Sequence, residues 1–366
     1  MCSSNKIKVA LLDRRIGEHG GQKKPYWKVL FGKDWKNNQM FGQENTFAFI
    51  DAFAEGNKKG VLCGALEVGE DYNKLKDYDL IYLRIRKPVC GEATIQLREQ
   101  CPKPVIIGYT DELVNTKINA HLWKSFKWLE ATSRYCDVLT SSFPEKYERP
   151  KYEALGVKNW RFCPYAGDVK WWNNYYKPLE EKEHEVSGMY HIRSHLEGGY
   201  GDQAHTQTFK AMKNLQDKYD VKCRFFLNFD GWKLIPKMEK VANQLGLEVN
   251  LTKHTGSHLA FNQLMAKTKV FMEEYQSPAY SRATLVSAAV GTPQVGTDFN
   301  TPSNVCFPDT TATHGDWSSW VGSAERLLTD DRFYKDVQQK GINRMEYFYY
   351  NQFRERLMKL YEEYER

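Results

Sequence analysis

The chain has 366 residues, more than one hydrophobic core usually organises, so two domains are expected. A hydrophobic fraction of 41% and a mean hydropathy of −0.65 fit a soluble globular protein with ample core material, and no run approaches the roughly 18 apolar residues of a membrane span. A net charge of +6 suits an anionic ligand such as a nucleotide diphosphate, but equally nucleic acid or an anionic surface, and does not choose among them. Met1-Cys2-Ser3-Ser4-Asn5-Lys6 leads straight into a strand-like run without the apolar stretch of a signal peptide, so the expected location is cytoplasmic. The eight cysteines form no Cys-x-x-Cys pair, which argues against a zinc ribbon; beside apolar runs they are expected to act as small hydrophobes.

In chain order, Ile7–Leu12, Gly60–Ala65, Leu80–Arg84, Pro104–Gly108 and Val138–Ser141 read as short buried strands. Amphipathic helical patterns fall near Asn45–Glu55, Glu92–Gln100, His121–Tyr135 and Pro144–Leu155. This alternation predicts a parallel sheet covered on both faces. Lys170–Glu185 reads as a linker, its charged run Glu180–Glu185 as a solvated hinge face. The alternation then restarts with strands at Gly188–Arg193, Lys222–Asn228, Glu248–Thr252, Lys269–Glu273 and Gln294–Gly296. Helices are expected at Gln203–Tyr219, Lys233–Leu245, His258–Ala266, Ser281–Val290, Trp317–Leu328 (Asp316 as N-cap) and Arg332–Lys340. Asn343–Arg366 reads as one long amphipathic helix, with Met345, Phe348, Tyr349, Phe353, Leu357, Leu360, Tyr361 and Tyr364 in an apolar stripe. The expected fold class is α/β, with two doubly wound domains and a ligand site in the cleft between them.

The most informative stretch is KVFMEEYQSPAYSRATLVSAAVGTPQVGT, Lys269–Thr297. A strand ends in a loop, the loop opens a helix at Ser281-Arg282-Ala283-Thr284, and the helix stops at Gly291-Thr292-Pro293. Helix-start N–H groups favour anions, and Arg282 with the hydroxyls of Ser281 and Thr284 adds charge and donors for a diphosphate. An ordinary capped helix with a surface arginine is the alternative. In the first half, Gly17-Glu18-His19-Gly20-Gly21 is a glycine loop after the first strand, although not the G-x-G-x-x-G fingerprint. Asp111, beyond the strand Pro104–Gly108, is placed either to contact an acceptor hydroxyl or to cap a helix; Arg84, ending another strand, is a second candidate of that kind. Asp77-Tyr78-Asp79 has an Asp-x-Asp form but precedes its strand, on the wrong edge of the sheet for a ligand, so no metal and no other cofactor is expected.

The strand, the Tyr280–Val290 helix, the Gly291-Thr292-Pro293 turn, the Phe307-Pro308-Asp309 segment, LLTDDRFY at Leu327–Tyr334 and the closing FYYNQFRERLMKLYEEY resemble the retaining, glycogen-synthase-like family-four glycosyltransferases. That resemblance implies the GT-B fold: two Rossmann-like domains facing a cleft. Residues 1–175 would form the acceptor domain and 176–342 the nucleotide-sugar domain, with 343–366 crossing back onto the first. It implies sugar transfer from a UDP or GDP sugar to an acceptor hydroxyl with retention. Arg193 matches the family's phosphate-binding arginine after the strand, although no lysine follows at the expected place; His191 and His195 lie beside it. His254 and Thr255 fall in the segment that contacts the nucleobase. The implied donor site is therefore His191, Arg193, His254, Thr255, Tyr280, Ser281, Arg282 and Thr284. Catalytic roles fall to Asp111, Arg193 and Arg282, and the acceptor side to Gly20, Gly21, Arg84 and Asp111. The family's two glutamates fall here on Pro278 and Val286, which leaves donor-ribose binding without its usual carboxylate. The acceptor class stays open among glycan, lipid, protein and modified DNA base. A sugar transferase acting on DNA bases and a catalytically inactive GT-B binding module are the rival readings.

Overall fold

The computed structural model describes residues 7–13, 61–64, 66–85, 88–110, 127–167, 169–189, 200–227, 234–253, 258–275 and 277–365. The chain divides into two compact units. One holds the described residues up to Gly167 together with Tyr350–Arg366; the other is Asp168–Tyr349.

The first unit is built on β1 (Val9–Asp13), β2 (Val61–Gly64), β3 (Leu80–Ile85), β4 (Val105–Thr110), β5 (Val138–Ser141) and β6 (Trp160–Phe162), in the order β2-β1-β3-β4-β5-β6. Every pairing is parallel, with Ala10 opposite Ile81 and Ile81 opposite Ile106. Every residue of β1, β3, β4 and β5 is buried, as expected of parallel strands covered on both faces. Helices α1 (Pro88–Gln100), α2 (Lys127–Ser133) and α3 (Glu145–Ala154) follow strands in the expected alternation, and Cys90, Ala93 and Leu97 of α1 join the core. Asp79 accepts from the Lys8 backbone N–H at 2.6 Å ahead of β3, so this carboxylate orders the start of the strand. The expected helix at Asn45–Glu55 lies outside the described residues.

The second unit contains α4 (Val169–Trp172), β7 (Glu183–Met189), α5 (Tyr200–Tyr219), β8 (Lys222–Leu227), α6 (Ile235–Leu245), β9 (Val249–Lys253), α7 (His258–Lys267), β10 (Thr268–Met272), α8 (Arg282–Ala289), β11 (Gln294–Thr297), α9 (Thr301–Cys306), β12 (Thr311–Ala312), α10 (Trp317–Thr329) and α11 (Asp331–Arg344). Its sheet runs β12-β11-β10-β7-β8-β9, again with parallel pairings. Two expectations need correction here. The first strand of this sheet begins at Glu183, well before Gly188, and Lys170–Glu185 is partly folded into the second unit, although Glu180, Glu181, Glu183 and His184 are exposed as expected of a solvated face. Trp172 is 3% exposed in the second unit's core. Glu185 is buried because the Arg224 guanidinium grips both its oxygens, at 2.9 and 3.0 Å. Lys182 reaches under the sheet, its Nζ donating to the carbonyls of Ala266 (2.8 Å) and Val290 (3.0 Å) and to Thr292 Oγ1 (2.9 Å). Lys182 thus staples the ends of α7 and α8.

The closing segment also differs from a single helix. α11 ends at Arg344, a 3-10 turn covers Met345–Phe348, and Tyr349 is extended before α12 (Tyr350–Tyr364). Met345 and Phe348 lie in the core of the second unit. α12 belongs to the first unit: Phe353 packs edge-on against Tyr82 with ring centroids 6.3 Å apart, Arg356 Nη2 donates to the Pro164 carbonyl at 2.9 Å, and Arg161 pairs with Glu363 at 2.9 Å. The apolar stripe is divided between two cores, and the break at Tyr349 lets each half face its own.

Candidate functional site

The described donor-side candidates, Tyr280, Ser281, Arg282 and Thr284, lie together past the carboxyl end of β10, beside that of β11, the edge where open parallel sheets bind ligands. β10 delivers Glu273 just past its last residue, 1% exposed. The following loop zips onto the segment after β11: Ala279 N–H donates to Phe299 O at 2.7 Å, and Thr301 N–H to Ala279 O at 3.1 Å. That pairing fixes where α8 starts. Ser281 caps it in extended geometry, its Oγ accepting from the Thr284 N–H at 3.3 Å. The helix is short and apolar, with Ala283–Ala289 all buried, so packing rather than helix propensity holds it in place. It ends at Gly291, whose φ of +72° is left-handed. A β-carbon there would sit 2.5 Å from Tyr176 Cε2 and 2.9 Å from the Lys177 carbonyl, so this turn requires glycine on two counts.

Beneath the helix start lies a buried polar network. Glu273 Oε1 accepts from Ser281 Oγ (2.8 Å) and the Tyr275 hydroxyl (3.1 Å). Its Oε2 accepts from Thr284 Oγ1 (2.7 Å), Gln294 Nε2 (2.8 Å) and Asn300 Nδ2 (3.4 Å). Asn300 also accepts from the Ser281 N–H at 3.0 Å and donates to Thr284 Oγ1 at 2.7 Å. The hydroxyl protons of Ser281 and Thr284 therefore point at a carboxylate. The groups at this helix start suited to an anion are the first-turn backbone and Arg282, which is half-buried. Tyr280 is half-buried and edge-on to Phe348 at 5.9 Å. Pro278 and Val286, at the two positions where the family carries glutamates, are both buried, Val286 at 3% exposure in the core.

Neighbouring groups on the same edge were not singled out from sequence. Burial pushes the Glu274 carboxyl up to about 8. Asp298 accepts from the His314 backbone N–H at 3.0 Å, and the His314 ring stacks on Phe299 at 4.4 Å. Burial lowers the His314 imidazole, opposed by Asp298 and by a hydrogen bond with the Tyr275 backbone. Paired glutamates at a strand end were the sequence signal for this cluster. A depression of about 1000 Å³ lies at the opposite, amino edge of the sheet. Its charges pair among themselves, Glu185 with Arg224 and Lys213 with Asp217, which does not describe an anion site.

In the first unit Arg84 is 1% exposed and pairs with Asp13 at 2.8 Å; Asp13 ends β1 and Arg84 lies one residue before the end of β3. Gly20, Gly21, Asp111, His191, Arg193, His195, His254 and Thr255 lie outside the described residues. Among the described residues no group of three or more His, Cys, Asp or Glu side chains is arranged to hold a metal ion. Six cysteines there are buried, and burial pushes the thiols of Cys136 and Cys223 up to about 12. No described helix is long and apolar enough to cross a membrane.

Comparison with solved structures places this architecture in the GT-B class, the double-sheet fold of nucleotide-sugar glycosyltransferases. The chain is similar to Anabaena HepE in complex with UDP at a TM-score of 0.65 and 12% identity, over 98% of this chain and 100% of that one. It is similar to sucrose-phosphate synthase from Thermosynechococcus elongatus at a TM-score of 0.63 and 12% identity, over 98% of each chain. The α,α-trehalose 6-phosphate synthase of Burkholderia multivorans aligns at a TM-score of 0.65 and 10% identity, over 98% of each chain. No protein-family model matches the sequence, and no curated protein matches it.

Proposed function

We propose that the chain is a glycosyltransferase that moves a sugar from a UDP-sugar to an acceptor hydroxyl with retention of configuration. The observation that carries this is the start of α8: a rigidly seated helix N-terminus beside Arg282 on the ligand edge of the second sheet. Its support is the fold shared over the whole chain with HepE, whose structure contains UDP. In the reaction the bond from the anomeric carbon to the diphosphate oxygen breaks and a bond to the acceptor oxygen forms. The acceptor proton is released. The departing diphosphate gains negative charge, and preorganised N–H donors with a guanidinium stabilise it most at that moment. The donor residues proposed are Tyr280, Ser281, Arg282 and Thr284, joined by His191, Arg193, His254 and Thr255. Arg193 and Arg282 would stabilise the leaving group, Asp111 with Gly20 and Gly21 would face the acceptor, and Arg84, buried against Asp13, would serve that side only through its ion pair. Ser281 and Thr284 act through helix position, because their hydroxyl protons are engaged by Glu273. No metal is invoked, since a cationic side chain and a helix start supply the charge complement, and the protein is proposed to work in the cytoplasm. Isothermal titration with UDP tests the reading. Wild type should bind, and a folded Arg282→Ala variant should bind about tenfold more weakly, the scale of one charge-assisted hydrogen bond. Equal affinity removes Arg282 from the site.

A further inference from the structure

We propose that Glu273 is a positioning residue for the donor diphosphate: from beneath α8 it fixes the helix start that binds the leaving group. This rests on the glycosyltransferase reading above. Its basis is the direction of the network. A carboxylate only accepts, so each partner's proton is committed to it. The donors come from the loop (Tyr275), the helix start (Ser281, Thr284), the start of β11 (Gln294) and the segment before α9 (Asn300). One buried group thereby ties together every segment whose relative placement sets the N-terminus of α8. A carboxylate at 1% exposure is costly without such donors, and an apolar residue at a strand end would fill the same space more simply. The network also satisfies two backbone donors of the helix start. Ser281 Oγ takes the Thr284 N–H, and Asn300 Oδ1 takes the Ser281 N–H. The capping groups are held from below, so the N–H groups ahead of Thr284 are not drawn into alternative turns.

Glu273→Gln is the informative change because the shape is kept. Amide donors of Gln294 and Asn300 face Oε2, so the new amide must turn its oxygen to them and its NH2 toward Ser281 and Tyr275. Ser281 then loses the acceptor for its proton, and the cap loosens. Thr284→Val removes a second donor while keeping the charge of Glu273 and the side-chain shape. UDP affinity by titration and steady-state kinetics with a UDP-sugar are measured on wild type and both variants well below their melting points. Both variants should bind UDP about tenfold more weakly, with kcat falling by at least as much as KM rises, because the helix start matters most to the departing diphosphate. A purely structural role would lower the melting temperature of the variants and leave affinity and kcat unmoved, and that result overturns the inference. Tighter UDP binding in Glu273→Gln alone, with Thr284→Val unchanged, would show a charge effect and overturn it as well. If wild type binds no UDP, the glycosyltransferase reading fails and this inference with it; if wild type binds and the folded variants bind equally well, this inference fails alone.

Discussion

The stability of wild type relative to Lys182→Met should move in favour of wild type as pH rises, because only wild type has to deprotonate the buried amine on folding. The Lys182 amine is sunk against two helix ends, where burial pushes it from 10.5 down to about 6. Once neutral it keeps two N–H bonds, to the carbonyls of Ala266 and Val290, while the Thr292 hydroxyl stays engaged with the Met265 carbonyl at 2.7 Å. The unfolded chain holds this proton up to its ordinary value. Between about pH 6 and 10.5 the folded state therefore binds fewer protons than the unfolded one, and stability rises with pH, by up to about 1.4 kcal/mol per unit. Methionine fills the stem's space but cannot satisfy the Ala266 carbonyl, a loss of about 1–3 kcal/mol. The Val290 carbonyl is less exposed to this, because it also accepts from the Lys177 N–H at 3.1 Å. Urea unfolding of both proteins from pH 6.5 to 8.5 measures the effect. Wild type should gain about 2.5 kcal/mol on the variant over that range. A gap that stays constant would mean that Lys182 keeps its charge in the fold, and the burial argument would be refuted.

Three further outcomes follow from the packing and the site. Gly291→Ala should lower stability by at least about 3 kcal/mol in denaturant titration, because left-handed backbone costs about 1–2 kcal/mol for alanine and the Lys177 carbonyl cannot swing away. Removing residues 350–366 should yield aggregated protein by size-exclusion chromatography. Phe353, Leu357 and Tyr361 are buried on the first unit, and uncovering such side chains costs about 1.5–3 kcal/mol each. Turnover of a UDP-sugar should survive excess chelator unchanged; loss of activity restored by manganese would contradict the metal-independent proposal.

Much of the fold was legible because parallel strands write themselves as short, wholly apolar runs. Val138–Ser141 matches its expected bounds, and β3 and β11 differ by one residue. The stop at Gly291 was equally plain, since only a left-handed residue serves there. Charge misled at Glu185, whereas Glu183 and His184 are exposed as expected. The partner that makes Glu185 a core residue, Arg224, lies 39 residues away and leaves no local trace. Short elements such as β6 and α9 carry too few residues for a period to emerge. The candidate site was half readable. Helix start, cap and Arg282 are local features, so Ser281 stood out. Glu273 did not, because its five donors lie 2, 8, 11, 21 and 27 residues along the chain, and only the fold assembles them.

The central claim is that the start of α8 binds the diphosphate of a UDP-sugar and assists its departure. The most direct measurement is UDP release from a panel of UDP-sugars, compared between wild type and Arg282→Ala. The account predicts UDP release by wild type with at least one sugar, and a fall in kcat/KM of about tenfold or more in a folded Arg282→Ala variant. Absence of turnover and of UDP binding with every sugar tested would contradict it, as would a folded variant as active as wild type.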